Sequence, residues 1–68
     1  MNISVNGAMT AVAHGTTVAE LVAALTGDES PRGVAVARDG AVVPRSAWPA
    51  TVLTDGDRVE VLTATQGG

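Results

Sequence analysis

The chain contains no cysteine, no lysine and a single aromatic residue, and it has no long apolar run. Without cysteine there is no disulfide staple, no thiolate metal site and no thiol nucleophile, so any sulfur chemistry must take place on another group. That absence fits a reducing cytoplasm. A bilayer-spanning helix needs roughly 20 mostly apolar residues, and neither such a run nor a charged, apolar, cleavable leader is present. The expectation is a soluble, unsecreted, cytoplasmic protein with no membrane partner. Four arginines against seven acidic residues leave a net charge of −3 and form no basic cluster. Trp48 offers one ring where a base-stacking surface needs a series, so no nucleic acid partner is expected. The missing lysine reads as arginine-favouring composition. An alternative is protection of an activated terminal acyl group from attack by ε-amines.

Sixty-eight residues make one domain, and a domain this small buries only about 60% of the surface its unfolded chain exposes. Its apolar residues must therefore be well patterned. Asn2 to Asn6 alternates polar and apolar with Ile3 and Val5 on one face, and Asn6-Gly7 is a type I′ hairpin signal. A returning strand is expected over about Met9 to Ala13, with Met9 and Ala11 competing against Val12 for the inner face. Thr17-Val18-Ala19-Glu20 is a capping-box pattern. Val18, Leu21, Val22 and Leu25 then recur at i, i+3, i+4 and i+7 as one apolar stripe, and Gly27 stands where a left-handed cap is needed. The predicted helix is about two and a half turns long and lies on a sheet.

After a polar loop with Pro31 and Gly33, Val34 to Arg38 meets the second hairpin signal, Asp39-Gly40, and returns through Ala41 to Val43. Pro44 ends that strand or marks it as an edge. Arg45 to Ala50 reads as irregular surface, Thr51 to Leu53 as a short extended piece, Asp55-Gly56-Asp57 as a tight turn and Arg58 to Thr63 as the last strand. This order gives an α+β, ubiquitin-like β-grasp fold: a mixed sheet of four to five strands with one main helix packed on one face. Residues 1–63 form the domain and 64–68 a flexible tail.

The tail carries the chemistry. Gly67 and Gly68 have no Cβ, so this end of the chain passes through a narrow channel and adopts φ values closed to other residues. A free carboxylate at Gly68 is a poor electrophile until ATP converts it to an acyl adenylate. A sulfur nucleophile then takes the acyl group, AMP leaves, and a thiocarboxylate results. The bland alternative for Gly67-Gly68 is a frayed terminus.

Taken together, Asn6-Gly7, Thr17 to Leu21, Val36 to Trp48 with Val43-Pro44-Arg45, Asp55-Gly56-Asp57 and Gly67-Gly68 resemble the sulfur carrier proteins of thiamine biosynthesis, the ThiS-like branch of the ubiquitin-like β-grasp family. The likeness spans the whole chain. It implies a carrier, not an enzyme, whose Gly68 is adenylated by a ubiquitin-activating-like adenylyltransferase that uses ATP. Sulfur then comes from cysteine through a donor such as a cysteine desulfurase, and the thiocarboxylate is presented to thiazole synthase. Gly67 and Gln66 are the delivery residues, and the carrier holds no cofactor. The run Ala64-Thr65-Gln66 departs from the more apolar approach of many relatives.

Arg45 and Trp48 are possible partner contacts, set against a solvated arginine and a tryptophan packed on the sheet. Asp55 and Asp57 read as turn formers in place of calcium ligands, and His14 as a loop residue, so no metal and no catalytic site is expected. Two other functions compete. One keeps the carrier chemistry but delivers sulfur to molybdopterin, cysteine or tRNA thiolation; the other makes the domain a ubiquitin-like protein tag or a noncovalent interaction module.

Overall fold

The structure is a computed structural model that describes residues 1–29 and 31–64. Both hairpins form around the dipeptides that call for them. Strand β1 (Asn2–Val5) turns at Asn6 and Gly7, with φ of 50° and 85°, into β2 (Ala8–Ala11). Likewise β3 (Val34–Arg38) turns at Asp39 and Gly40, φ 48° and 84°, into β4 (Ala41–Val43). Positive φ at both central residues is the type I′ geometry, whose twist matches that of the flanking strands. Strand β2 starts one residue before the expected Met9 and ends two before Ala13. Pairing of Ile3 with Thr10 puts Met9 and Ala11 on the outer face, and Val12 packs against the core.

The last strand, β5 (Arg58–Thr63), enters the middle of the sheet, parallel to β1 and antiparallel to β3, giving the order β2-β1-β5-β3-β4. Helix α1 (Val18–Thr26) covers one face. Its start is the expected capping box: Glu20 N–H donates to Thr17 Oγ1 at 3.1 Å and Thr17 N–H to Glu20 Oε1 at 2.9 Å. Gly27, φ 74°, closes the other end by donating to the Ala23 carbonyl. Val18, Leu21 and Val22 are buried, whereas Leu25 is half exposed. The stripe thus stops one turn short of its sequence pattern, because the last turn runs past the side chains that seal the core. Thr17→Ala is expected to cost about 1 kcal/mol and to lower the melting midpoint by roughly 4–8 °C, as read by thermal circular dichroism.

Residues 45–50, expected to be irregular, form a short 3₁₀ helix, η1 (Arg45–Ala50). Pro44 and Pro49 disguise it in the sequence, yet i→i+3 bonds from Ala47 to Pro44 and from Thr51 to Trp48 build it. It buries Trp48, whose Nε1 donates to the Val43 carbonyl at 2.9 Å. Val52 in the extended piece that follows bridges to Thr17, and Leu53 joins the core. The Asp55–Asp57 turn forms with Gly56 at φ 86°, and the buried Asp57 carboxylate accepts from Thr54 N and Oγ1 and pairs with Arg38 Nε at 3.5 Å. His14 is an exposed turn residue.

Candidate functional site

Gln66, Gly67 and Gly68, the residues expected to carry the chemistry, lie outside the described residues. What the fold builds is the root from which that segment departs. Because β5 is central, its backbone is held from both sides. On the β3 side the pairing runs from Arg38 with Val59 to Val34 with Thr63. It extends one residue further, since Ala64 N–H donates to the Gly33 carbonyl at 2.7 Å. Ala64, assigned to the tail by the sequence, is thus still tied to the sheet. Gly33 has φ 66°, and a Cβ built there would stand 3.0 Å from Ala64 Cβ, so both the backbone and the close approach favour glycine.

On the β1 side the backbone pairing ends with the hairpin turn, where Asn6 N–H donates to the Val59 carbonyl. The Asn6 side chain then takes over. Val61 N–H donates to Asn6 Oδ1 at 2.8 Å, and Asn6 Nδ2 donates to the Val61 carbonyl at 3.1 Å. One carboxamide therefore replaces a strand residue, accepting and donating as a backbone would. The other hairpin offers an internal control. There Asp39 N–H donates to the Arg58 carbonyl at 2.7 Å and Asp39 Oδ1 accepts from Arg58 N–H at 3.0 Å. At position 39 the side chain only accepts, so a carboxylate suffices; at position 6 it must also donate, which requires an amide.

The sheet face opposite α1 presents Met9, Ser4, Arg58, Glu60, Leu62, Ala35, Ala37 and Val42 by strand alternation and register. Met9, Leu62 and Val42 are 73%, 66% and 77% exposed. Leu62 lies two residues before Ala64, so the apolar part of this face, which also carries Arg58 and Glu60, reaches the tail root. Arg45 and Trp48 lie elsewhere, on the helix side of the sheet. The Arg45 guanidinium sits 4.9 Å from the Trp48 ring centroid, and the two line a cleft with Ala19, Glu29 and Pro49. Arg45 and Trp48, named from the sequence as possible partner contacts, lie side by side, whereas the sequence did not single out Asn6, Gly33 or Leu62. Asn6 and Gly33 were legible only as turn and loop formers, because their contacts to Val61 and Ala64 join distant parts of the chain.

No helix among the described residues is long and apolar enough to cross a membrane. The profile of the ThiS family matches residues 3–68, which includes both hairpins, the root and the Gly67-Gly68 end. The chain belongs to the ThiS family. A crystal structure of the thiamine biosynthesis protein ThiS from Geobacter metallireducens is 40% identical to this chain, superposes with a TM-score of 0.80 and is covered over 100% of both chains. A solution structure of a thiamine biosynthesis protein from the same organism is 38% identical with a TM-score of 0.79, covering 100% of this chain and 88% of the other. No curated protein matches. The β-grasp architecture of this ThiS-family chain thus agrees with solved structures.

Proposed function

We propose that this ThiS-family chain is the sulfur carrier of thiazole formation in thiamine biosynthesis. The observation that carries the reading is the family match through residue 68, together with a fold that holds β5 up to Ala64. A ubiquitin-activating-like adenylyltransferase joins the Gly68 carboxylate to the α-phosphate of ATP and releases pyrophosphate. A donor such as a cysteine desulfurase supplies a persulfide whose outer sulfur forms the C–S bond as AMP leaves. A thiol then cleaves the S–S bond of that acyl disulfide, releasing the thiocarboxylate and being itself oxidised to a disulfide. The thiocarboxylate then passes to thiazole synthase. The chain is a cosubstrate in each step, so it needs no catalytic residue and no bound cofactor. Reconstitution with both enzymes, scored for thiazole product, tests this reading against delivery of sulfur to another pathway; a thiocarboxylate form that yields no thiazole refutes it.

The docking surface in this reading is the outer sheet face around Leu62, an exposed apolar patch on a small domain. Leu62→Thr keeps strand propensity while removing apolar surface. It is expected to raise the KM of the adenylyltransferase for the carrier about tenfold, equivalent to some 1.4 kcal/mol of lost docking. Both kcat and the melting midpoint should stay near wild type. An unchanged KM places the docking surface elsewhere.

A further inference from the structure

We propose that Asn6 is a positioning residue for the C-terminal glycine: its carboxamide ends the β1-side pairing of β5 at Val61 and, with the Ala64 bond to Gly33 on the other side, fixes the origin from which the tail reaches its partner's active site. The inference rests on the sulfur-carrier reading. Three observations carry it.

The first is reach. Gly68, the acyl site of the carrier reading, stands four residues after Ala64, and four residues span at most about 14 Å when fully extended. A slip of one residue at the root changes that span by roughly 3.4 Å, a quarter of the whole, so the position of the root is a functional quantity. The second is placement. Among the described residues Val61 is the last of β5 whose backbone is held from the β1 side, and the holder is a side chain from a turn 55 positions away. Thr63 shares the orientation of Val61, since Ala64 points its N–H at Gly33, so the next backbone groups on that side lie past the hairpin tip. Asn6 therefore marks the point where the β1 side of the sheet lets go, three residues before the Ala64 bond to Gly33 on the β3 side. The third is chemistry. The same turn type is built with aspartate at Asp39-Gly40, so the turn itself does not require the amide at position 6. The donation to the Val61 carbonyl does.

Asn6→Asp is the informative variant, because the Asp39-Gly40 turn shows that an aspartate accepts this backbone. It removes only the donor and sets a carboxylate oxygen against a carbonyl. Asn6→Gly removes both bonds without adding charge and keeps positive φ. Amide hydrogen exchange at Val61 and Ala64 should speed up roughly tenfold in both variants, with exchange in α1 unchanged. ATP–pyrophosphate exchange by the adenylyltransferase should lose about tenfold in kcat from lost orientation of the tail, while KM, set by the sheet face, holds.

The discriminating readout couples the variant to tail length. Inserting one glycine between Gln66 and Gly67 should cost wild type on the order of tenfold in kcat, but should cost Asn6→Asp much less, because a frayed root no longer sets the length. Additive effects of variant and insertion, unaltered exchange at Ala64, or global unfolding of both Asn6 variants would each overturn the proposal. Failure of the wild-type chain to support any ATP–pyrophosphate exchange would instead count against the carrier reading, and the hydrogen-exchange arm would still decide whether Asn6 holds the root.

Discussion

Gly67→Val is expected to slow ATP–pyrophosphate exchange on the order of a hundredfold while leaving the melting midpoint of the domain unchanged. A β-branched side chain restricts φ and ψ and widens the chain at the residue before the reacting carboxylate. Left-handed backbone, open to glycine, costs a residue with a Cβ roughly 1–2 kcal/mol. The remainder of the effect comes from misplacing the carboxylate relative to ATP, where about 1 Å is enough to lose two orders of magnitude. The core and the sheet bonds of the described residues lie at or before Ala64, three residues earlier, so the change is not expected to touch them. Gly67→Ala should be intermediate, since alanine adds a Cβ without the branch. Exchange at the wild-type rate in Gly67→Val would remove the steric argument for the paired glycines.

Trp48→Ala is expected to have the largest effect on stability. Truncating a buried tryptophan costs about 3–5 kcal/mol, and a chain of this length has a total stability of about 3–10 kcal/mol at the usual per-residue figure. The melting midpoint should fall by at least about 12 °C, and a large part of the population should be unfolded at physiological temperature. Trp48 joins α1, the core side of β4 and η1, so its loss opens the contact of the 3₁₀ helix with the rest of the domain. Trp48→Phe separates the contributions: it keeps most of the apolar volume but loses the bond to the Val43 carbonyl, and should cost about 1–2 kcal/mol. Chemical denaturation of the two variants, followed by far-ultraviolet circular dichroism, measures both. A Trp48→Ala domain as stable as wild type would mean that the core does not depend on η1.

Elements specified by local chemistry were legible in the sequence. Asn6-Gly7 and Asp39-Gly40 announce their hairpins because few residues tolerate positive φ in succession, and Thr17 with Glu20 announces α1 because each satisfies the other's backbone N–H. Features set by distant neighbours were not. The 3₁₀ helix around Trp48 has no period to read, its prolines argue for a loop, and its reason for existing is the core beneath it. Leu25 fits the apolar stripe but outlasts the surface that the stripe covers. Asn6 and Gly33 read as conformational choices, and only the return of β5 to the middle of the sheet shows what else they hold.

The same division runs through the candidate site. The chemistry proposed for the glycine carboxylate follows from residue types alone, whereas the docking face and the root follow from strand order. Leu62 is unremarkable in sequence because an exposed apolar residue in a strand is common. Its meaning comes from lying on the uncovered face beside the point where the chain leaves the sheet. The sequence expectation of partner contacts at Arg45 and Trp48 can be tested with Arg45→Ala in the same kinetic assay.

In the proposed function the terminal glycine carries the sulfur. Intact mass spectrometry of the chain after incubation with the adenylyltransferase, ATP and a sulfur donor tests it most directly, with fragmentation to locate the change. The account requires a gain equal to exchange of one oxygen for one sulfur, confined to Gly68 and dependent on ATP. A carboxylate that stays unmodified in the presence of all three, or a branched conjugate through an amide bond to another protein, would contradict it.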